Sequence, residues 1–273
     1  MYEEVIVALA LVIAFFIIHR IQSNLYSTRD EIYIAQFSPT CVKDIARYVR
    51  VTRLNKLKIN IYIDFTLNNI RGTRNLHKLG KQDLNVYQRV LHFLLEGFGN
   101  MNIPISMCGF GDLETQDTDV FSVHQTVSCS AQAVEHYRST VKTVEMSGPR
   151  CFIPSIRHAI EESKKSGQHI IFIISSGLPE NMALNRENII DASWSDVLVI
   201  IIGVGAGPWR GISELSRYSD SAKFSNVTYF TLDMYPDKID FLRNVVLTAK
   251  DMQQDRMDEL ERVEQGLSRT KDD

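Results

Sequence analysis

Between Lys58 and Lys250, short continuous apolar runs alternate with stretches of helical spacing. Ile59–Phe65, Ile103–Phe110, His169–Ser175, Val197–Gly203 and Val227–Leu232 predict strands, the third holding Ile-Ile-Phe-Ile-Ile and the fourth Leu-Val-Ile-Ile-Ile. Unbroken β-branched runs, unlike strict alternation, suit strands covered on both faces of a sheet. Asn85–Phe98 predicts a helix whose apolar face is Val86, Val90, Phe93, Leu94 and Leu95. Ala131–Val144, Pro154–Lys165, Asn185–Ser193, Ile212–Tyr218 and Lys238–Lys250 predict further helices, and Phe121–Val127 a short antiparallel strand. Alternating β and α elements of this length imply one α/β domain over residues 58–250, a doubly wound, mostly parallel sheet flanked by helices.

The flanks read differently. Val5–Ile18 is an unbroken apolar run, shorter than the roughly 20 residues of a membrane span, but Tyr2 and Ile21 extend it and Arg20 can reach the headgroups. A cleaved leader fits less well, because Glu3 and Glu4 stand where basic residues belong and no small-x-small cleavage site follows. A buried core helix is the competing reading. The expectation is an N-terminal transmembrane anchor over residues 1–22. Arg20 and Arg29 follow the run and no basic residue precedes it, so a single-pass membrane protein with a cytoplasmic C-terminal domain is expected. The one glycosylation sequon, Asn226-Val227-Thr228, is then expected to stay bare. Residues 23–57 form a juxtamembrane segment with a short helix opened by Ser38-Pro39-Thr40 and spaced by Val42, Ile45, Ala46 and Val49. Its cations, Lys43, Arg47, Arg50, Arg53, Lys56 and Lys58, suit either attraction to anionic lipid or a solvated helix face. Residues 251–273 are charged, with a thin stripe of Met257, Leu260, Val263 and Leu267, and read as a solvated helical tail.

Composition narrows the function classes. A 273-residue chain that is 44% hydrophobic can build a real core, and a net charge of −3 with no basic stripe excludes a nucleic-acid partner. Cys41, Cys108, Cys129 and Cys151 lie far apart without Cys-x-x-Cys, which rules out a zinc ribbon and suggests buried free thiols. The histidines are scattered, and neither a nucleophile elbow nor a lysine-bearing phosphate loop occurs, so no enzyme is expected. Gly203-x-Gly205-x-Gly207-Pro208 reads as a tight turn, not a dinucleotide loop, since the third glycine is misplaced. Asp112, Glu114, Asp117 and Asp119 read as a solvated loop, lacking the glycine and terminal glutamate of an EF-hand.

The informative stretch is Ile59–Asn69, where a buried strand ends in Asp64 and oxygens follow at Thr66 and Asn68. In open α/β sheets ligands bind at that carboxyl end. Four further motifs accompany Ile63-Asp64-Phe65-Thr66. They are Gly109-Phe110-Gly111-Asp112, Asp117-x-Asp119-Val120-Phe121-Ser122, Gly148-Pro149-x-x-Phe152-x-Pro154 and Gly203-Val204-Gly205-x-Gly207-Pro208-Trp209. In order and spacing Lys58–Leu247 resembles a copine domain, a branch of the von Willebrand factor A-like folds. Within that branch it is most similar to the copine-type domain of plant RING ubiquitin ligases. The RING and the lipid-binding modules of copines have no counterpart in the sequence.

The resemblance implies a metal-ion-dependent adhesion site at five positions. Asp64 and Thr66 match it, Asn68 stands for Ser, Arg150 for the Thr of Gly-Pro-Thr, and Ser176 for the second Asp. Magnesium wants hard oxygen ligands and carboxylate charge. A guanidinium about 5 Å away would repel it by several kcal/mol at an effective dielectric near 20. No metal or other cofactor is therefore expected. Arg150 is expected to occupy the metal position and pair bidentately with Asp64. Asp64, Thr66, Asn68, Asp112, Arg150, Ser176 and an exposed Trp209 are expected to line a protein-binding face. The resemblance leaves two other functions open, an adaptor role in ubiquitin ligation and calcium-dependent phospholipid binding.

Overall fold

Continuous apolar strands leave a sheet with no wet face, and this one is covered on both sides. The computed structural model describes residues 29–266, apart from 72, 82, 218 and 219. These divide after Pro39 into two compact units. The first is helical over residues 29–35. The second begins with α1 (Val42–Val51) and β1 (Lys58–Asp64), then a small ribbon of β2 (Ile70–Arg71) and β3 (Arg74–Asn75). There follow α2 (Val86–Phe98), β4 (Ile105–Phe110), β5 (Phe121–His124), α3 (Ser130–Val141), α4 (Ile153–Ser166), β6 (His169–Ser175) and α5 (Met182–Trp194). The chain continues through β7 (Val197–Gly203), α6 (Ile212–Ser216), β8 (Val227–Thr231) and α7 (Lys238–Glu264). The six-stranded sheet has the order β5-β4-β1-β6-β7-β8, and every pairing is parallel except β4 with β5.

On one face Tyr62, Ile171, Ile173, Val199 and Ile201 pack with Phe152, at the N-cap of α4, and with Ile156, Ile189 and Leu215 from α4, α5 and α6. On the other, Phe98 of α2 meets Phe172 of β6, and Phe241 of α7 meets Phe93 and Phe230. Burying each of these side chains contributes about 1.5–3 kcal/mol, so the central strands β1, β6 and β7 fix the register of everything at their ends.

The expected α/β sheet is present, with differences that have local causes. Asn181 caps α5 through the Leu184 amide, so that helix starts three residues before the first periodic position, Asn185. Residues 238–264 form one helix, not a core helix followed by a tail, because Met252 and Glu259 are still buried beyond Lys250. The β2–β3 ribbon carries no periodic signal and was not anticipated. Of the cysteines, Cys108 alone is buried; Cys41 and Cys129 are exposed and Cys151 is intermediate, so the expectation of four buried thiols is corrected. Asn226 is 2% exposed and its amide donates to the Ile189 and Val197 carbonyls, so the sequon is sterically closed in the folded chain.

The membrane expectation is also corrected. Among the described residues no helix is long and apolar enough to cross a membrane, and a single-pass localisation is not supported. The anchor expected over residues 1–22 lies outside the described residues.

A buried polar column supports the carboxyl end of β1. His77 is fully buried, its ring stacked between Phe65 at 4.8 Å and Tyr87 at 4.2 Å. Its Nε2 lies 2.8 Å from the Asp64 carbonyl oxygen, which can only accept, so the proton sits on Nε2. Nδ1 therefore accepts from the Tyr137 hydroxyl at 2.7 Å. Burial pushes the His77 pKa down from 6.5 to about 4, against a smaller opposing pull from Asp64. The unfolded chain thus takes up the proton first as pH falls. Stability present above pH 6.5 should be lost towards pH 4, by about 2–3 kcal/mol at pH 4.5 from this residue. His169, also held near 4 by burial and by Lys58, adds a parallel loss. His77→Gln should shrink the difference in urea-unfolding free energy between neutral pH and about pH 4.5 by that amount, while the His169 share persists. An unchanged pH slope would show that His77 is not buried neutral.

Candidate functional site

The site is assembled where β1 ends and a distant segment crosses over it. Asp64 is the last residue of β1, opposite Phe110 of β4, with β6 on its other side. Past the strand, Leu67 N–H donates to the Ser147 carbonyl at 2.8 Å, and Ser147 N–H donates to the Gly111 carbonyl at 3.2 Å. These bonds lay residues 145–147 across the strand end. Gly148, at φ +57°, then turns the chain so that Pro149 and Arg150 point it back inward. Gly111 is constrained twice: φ is +79°, and a Cβ there would stand 2.3 Å from Thr66 Cγ2.

Arg150 enters this end and is 3% exposed; Asp64 is fully buried. Arg150 Nε donates to Asp64 Oδ2 at 2.8 Å. Its Nη2 donates to Ser176 Oγ at 2.7 Å and its Nη1 to the Leu178 carbonyl at 3.3 Å. The guanidinium therefore spans three partners, and the expected two-bond fork onto the carboxylate is replaced by a single bond. Gly177 makes the space, since a Cβ at that position would lie 2.5 Å from Arg150 Nη1.

Both carboxylate oxygens of Asp64 are saturated. Oδ1 accepts from Thr66 N–H at 2.9 Å, Thr66 Oγ1 at 2.6 Å and Asn69 Nδ2 at 3.0 Å. Oδ2 accepts from Arg150 Nε, from Ser175 Oγ at 2.8 Å and from Ser176 N–H at 3.2 Å. Burial by itself would raise this carboxyl's pKa, but Arg150 and the Thr66 hydrogen bonds outweigh it and hold Asp64 below its ordinary value.

The expected site residues separate into two groups. Asp64, Thr66, Arg150 and Ser176 converge. Asn68 does not join them: it is half-buried at the rim, and its neighbour Asn69 turns inward to Asp64, held by the Tyr87 hydroxyl at 2.6 Å. Asp112 accepts from the amide and hydroxyl of Thr115, and so closes its own turn. Trp209 is half-buried rather than exposed. Its indole covers Gly203, and its Nε1 donates to the Gly205 carbonyl at 3.3 Å. Asn69, Ser175 and the His77–Tyr137 column were missed, although Asn69 and Ser175 adjoin residues already singled out. Two exposed leucines, Leu67 (57%) and Leu113 (47%), flank residues 145–147 at this edge. Among the described residues no group of three or more His, Cys, Asp or Glu side chains is placed to hold a metal.

Residues 75–253 match the copine family. The chain is 30% identical over 193 residues to Copine family protein 2 of Caenorhabditis elegans, covering 65% of this chain and 2% of that protein. It is 28% identical over 207 residues to the E3 ubiquitin-protein ligase RGLG3 of Arabidopsis thaliana, covering 66% of this chain and 56% of the ligase. The chain thus spans less than two thirds of the length of either relative. Among solved structures, proximal thread matrix protein 1 of the mussel byssus aligns at 14% identity and a TM-score of 0.45, over 72% of this chain and 48% of its own. Arg150, Asp64 and the residues that enclose them lie on a chain that, by its match over residues 75–253, belongs to the copine family.

Proposed function

We propose that this chain is a copine-type protein-binding module whose recognition face is the carboxyl edge of the sheet, set by an internal cation in place of an exchangeable one. The observation that carries the reading is the buried Arg150–Asp64 contact at 2.8 Å. The residues present do not fit a divalent ion. Asp64 has no free lone-pair direction, Ser176 supplies no charge, and the guanidinium brings a positive charge that deprotonation does not remove. A face without a metal requirement still needs something for a partner to grip. The exposed Leu67 and Leu113 supply apolar area beside polar Asn68.

Kinship with RGLG3 supports a second reading, in which the partner belongs to ubiquitin ligation and the chain acts as an adaptor. Capture of a ubiquitin-conjugating enzyme by the purified chain would favour it.

Two measurements test the first reading. Titration calorimetry should give no magnesium signal for the wild type, whereas Arg150→Thr combined with Ser176→Asp should create one. A wild-type signal abolished by Asp64→Ala would overturn the reading. Separately, Arg150→Ala should destabilise the fold by about 3–5 kcal/mol, since it leaves a buried carboxylate without its counter-charge. Gly177→Ala should act in the same direction by crowding the guanidinium. Denaturant melts in which Arg150→Ala costs under about 1 kcal/mol would mean that the pair is not formed in solution.

A further inference from the structure

Beside Ser176 the carboxyl edge opens into a pocket of about 60 Å³, bordered by Asn68, Arg71, Arg74, Leu76, Ser176 and Gly207. It has room for a few waters or one carboxylate head group, and it is far below the roughly 300–1,000 Å³ of cofactor and small-molecule sites. Arg71 and Arg74 face each other across the β2–β3 ribbon, both exposed. Among the described residues neither guanidinium has an ion-pair or hydrogen-bond partner, and no acidic side chain lines the pocket. Asp64 lies nearby, but Arg150 already balances its charge. Two unopposed guanidinium groups therefore supply the charge at the mouth of a small pocket whose walls are otherwise uncharged.

We infer that this pocket seats a single carboxylate of an acidic peptide segment, gripped between Arg71 and Arg74. The inference rests on the reading of this edge as a protein-binding face, and it names the chemistry that the partner presents. Arg forks match carboxylates bidentately, and the small volume admits a side-chain head and little else. The half-buried Leu76 lines the same pocket and can take the aliphatic stem of a glutamate.

The test is a nuclear magnetic resonance titration of the folded chain with an end-blocked hexaglutamate peptide, run beside hexaglutamine and inorganic phosphate. Hexaglutamate should give saturable shifts at the Arg71 and Arg74 Nε–H signals and the Gly207 amide, and the affinity read from the Gly207 amide should fall at least tenfold in R71Q/R74Q. The lysine pair R71K/R74K should recover part of the affinity through charge while losing the fork. Both arginines are exposed on a ribbon of two-residue strands, so thermal melting should be unchanged in these variants. The inference is overturned if hexaglutamine or phosphate shifts the same signals as strongly, if R71Q/R74Q responds like the wild type, or if no saturable shift occurs. None of these variants touches Arg150 or Asp64. A failure here with the magnesium result intact removes the acidic-peptide assignment alone, whereas magnesium binding by the wild type removes the broader reading.

Discussion

A carboxylate at zero exposure must be compensated from within the protein, and much of the carboxyl end of β1 follows from that requirement at Asp64. Six side-chain or backbone donors of the surrounding shell answer one charge. Thr66 and Asn69 bond one oxygen, Ser175 and Ser176 the other, and Arg150 neutralises the whole. The glycines at 111 and 177 leave room for these groups to come close. Below, His77 engages the backbone carbonyl of the same residue and links it to Tyr137. Without the counter-charge, the bonds from Thr66, Asn69 and the serines would surround a desolvated anion that no neutral donor set fully stabilises.

A buried ion pair of this kind is weak as a source of net stability, because desolvating both ions offsets much of the attraction. Its effect is better described as fixing a geometry. The guanidinium ties its own segment to two others, the end of β1 at Asp64 and the loop after β6 at Ser176 and Leu178. Each of those segments also frames the edge at which a partner would dock. In the proposed reading, the atoms of Arg150 that hold the fold together also shape the docking face.

Much of this was legible from residue order. The runs at 170–174 and 198–202 read as buried strands, and the acid closing the first strand marked the carboxyl edge of the sheet. The Arg at position 150 already pointed to a pairing with Asp64. What could not be read was set by tertiary packing. Periodicity does not distinguish Asn68 from Asn69, because the short turn after Thr66 decides which amide faces inward. The bidentate fork failed because Ser176 and Leu178 compete for the two terminal nitrogens. Trp209 looked exposed because a glycine-rich turn normally is; here Gly203 offers a flat backbone surface that the indole covers. The β2–β3 ribbon has too few residues per strand to leave any pattern.

That ribbon is tied down at its far end. Leu76 N–H donates to the Asn69 carbonyl at 3.1 Å, His77 N–H donates to Asn75 Oδ1 at 2.8 Å, and the imidazole that follows is locked in the aromatic stack. The backbone bearing Arg71 and Arg74 is thus held in place before any visitor arrives. A guest would have to freeze only two long side chains rather than order a loop, which keeps the entropic penalty of association small and favours quick capture with little rearrangement.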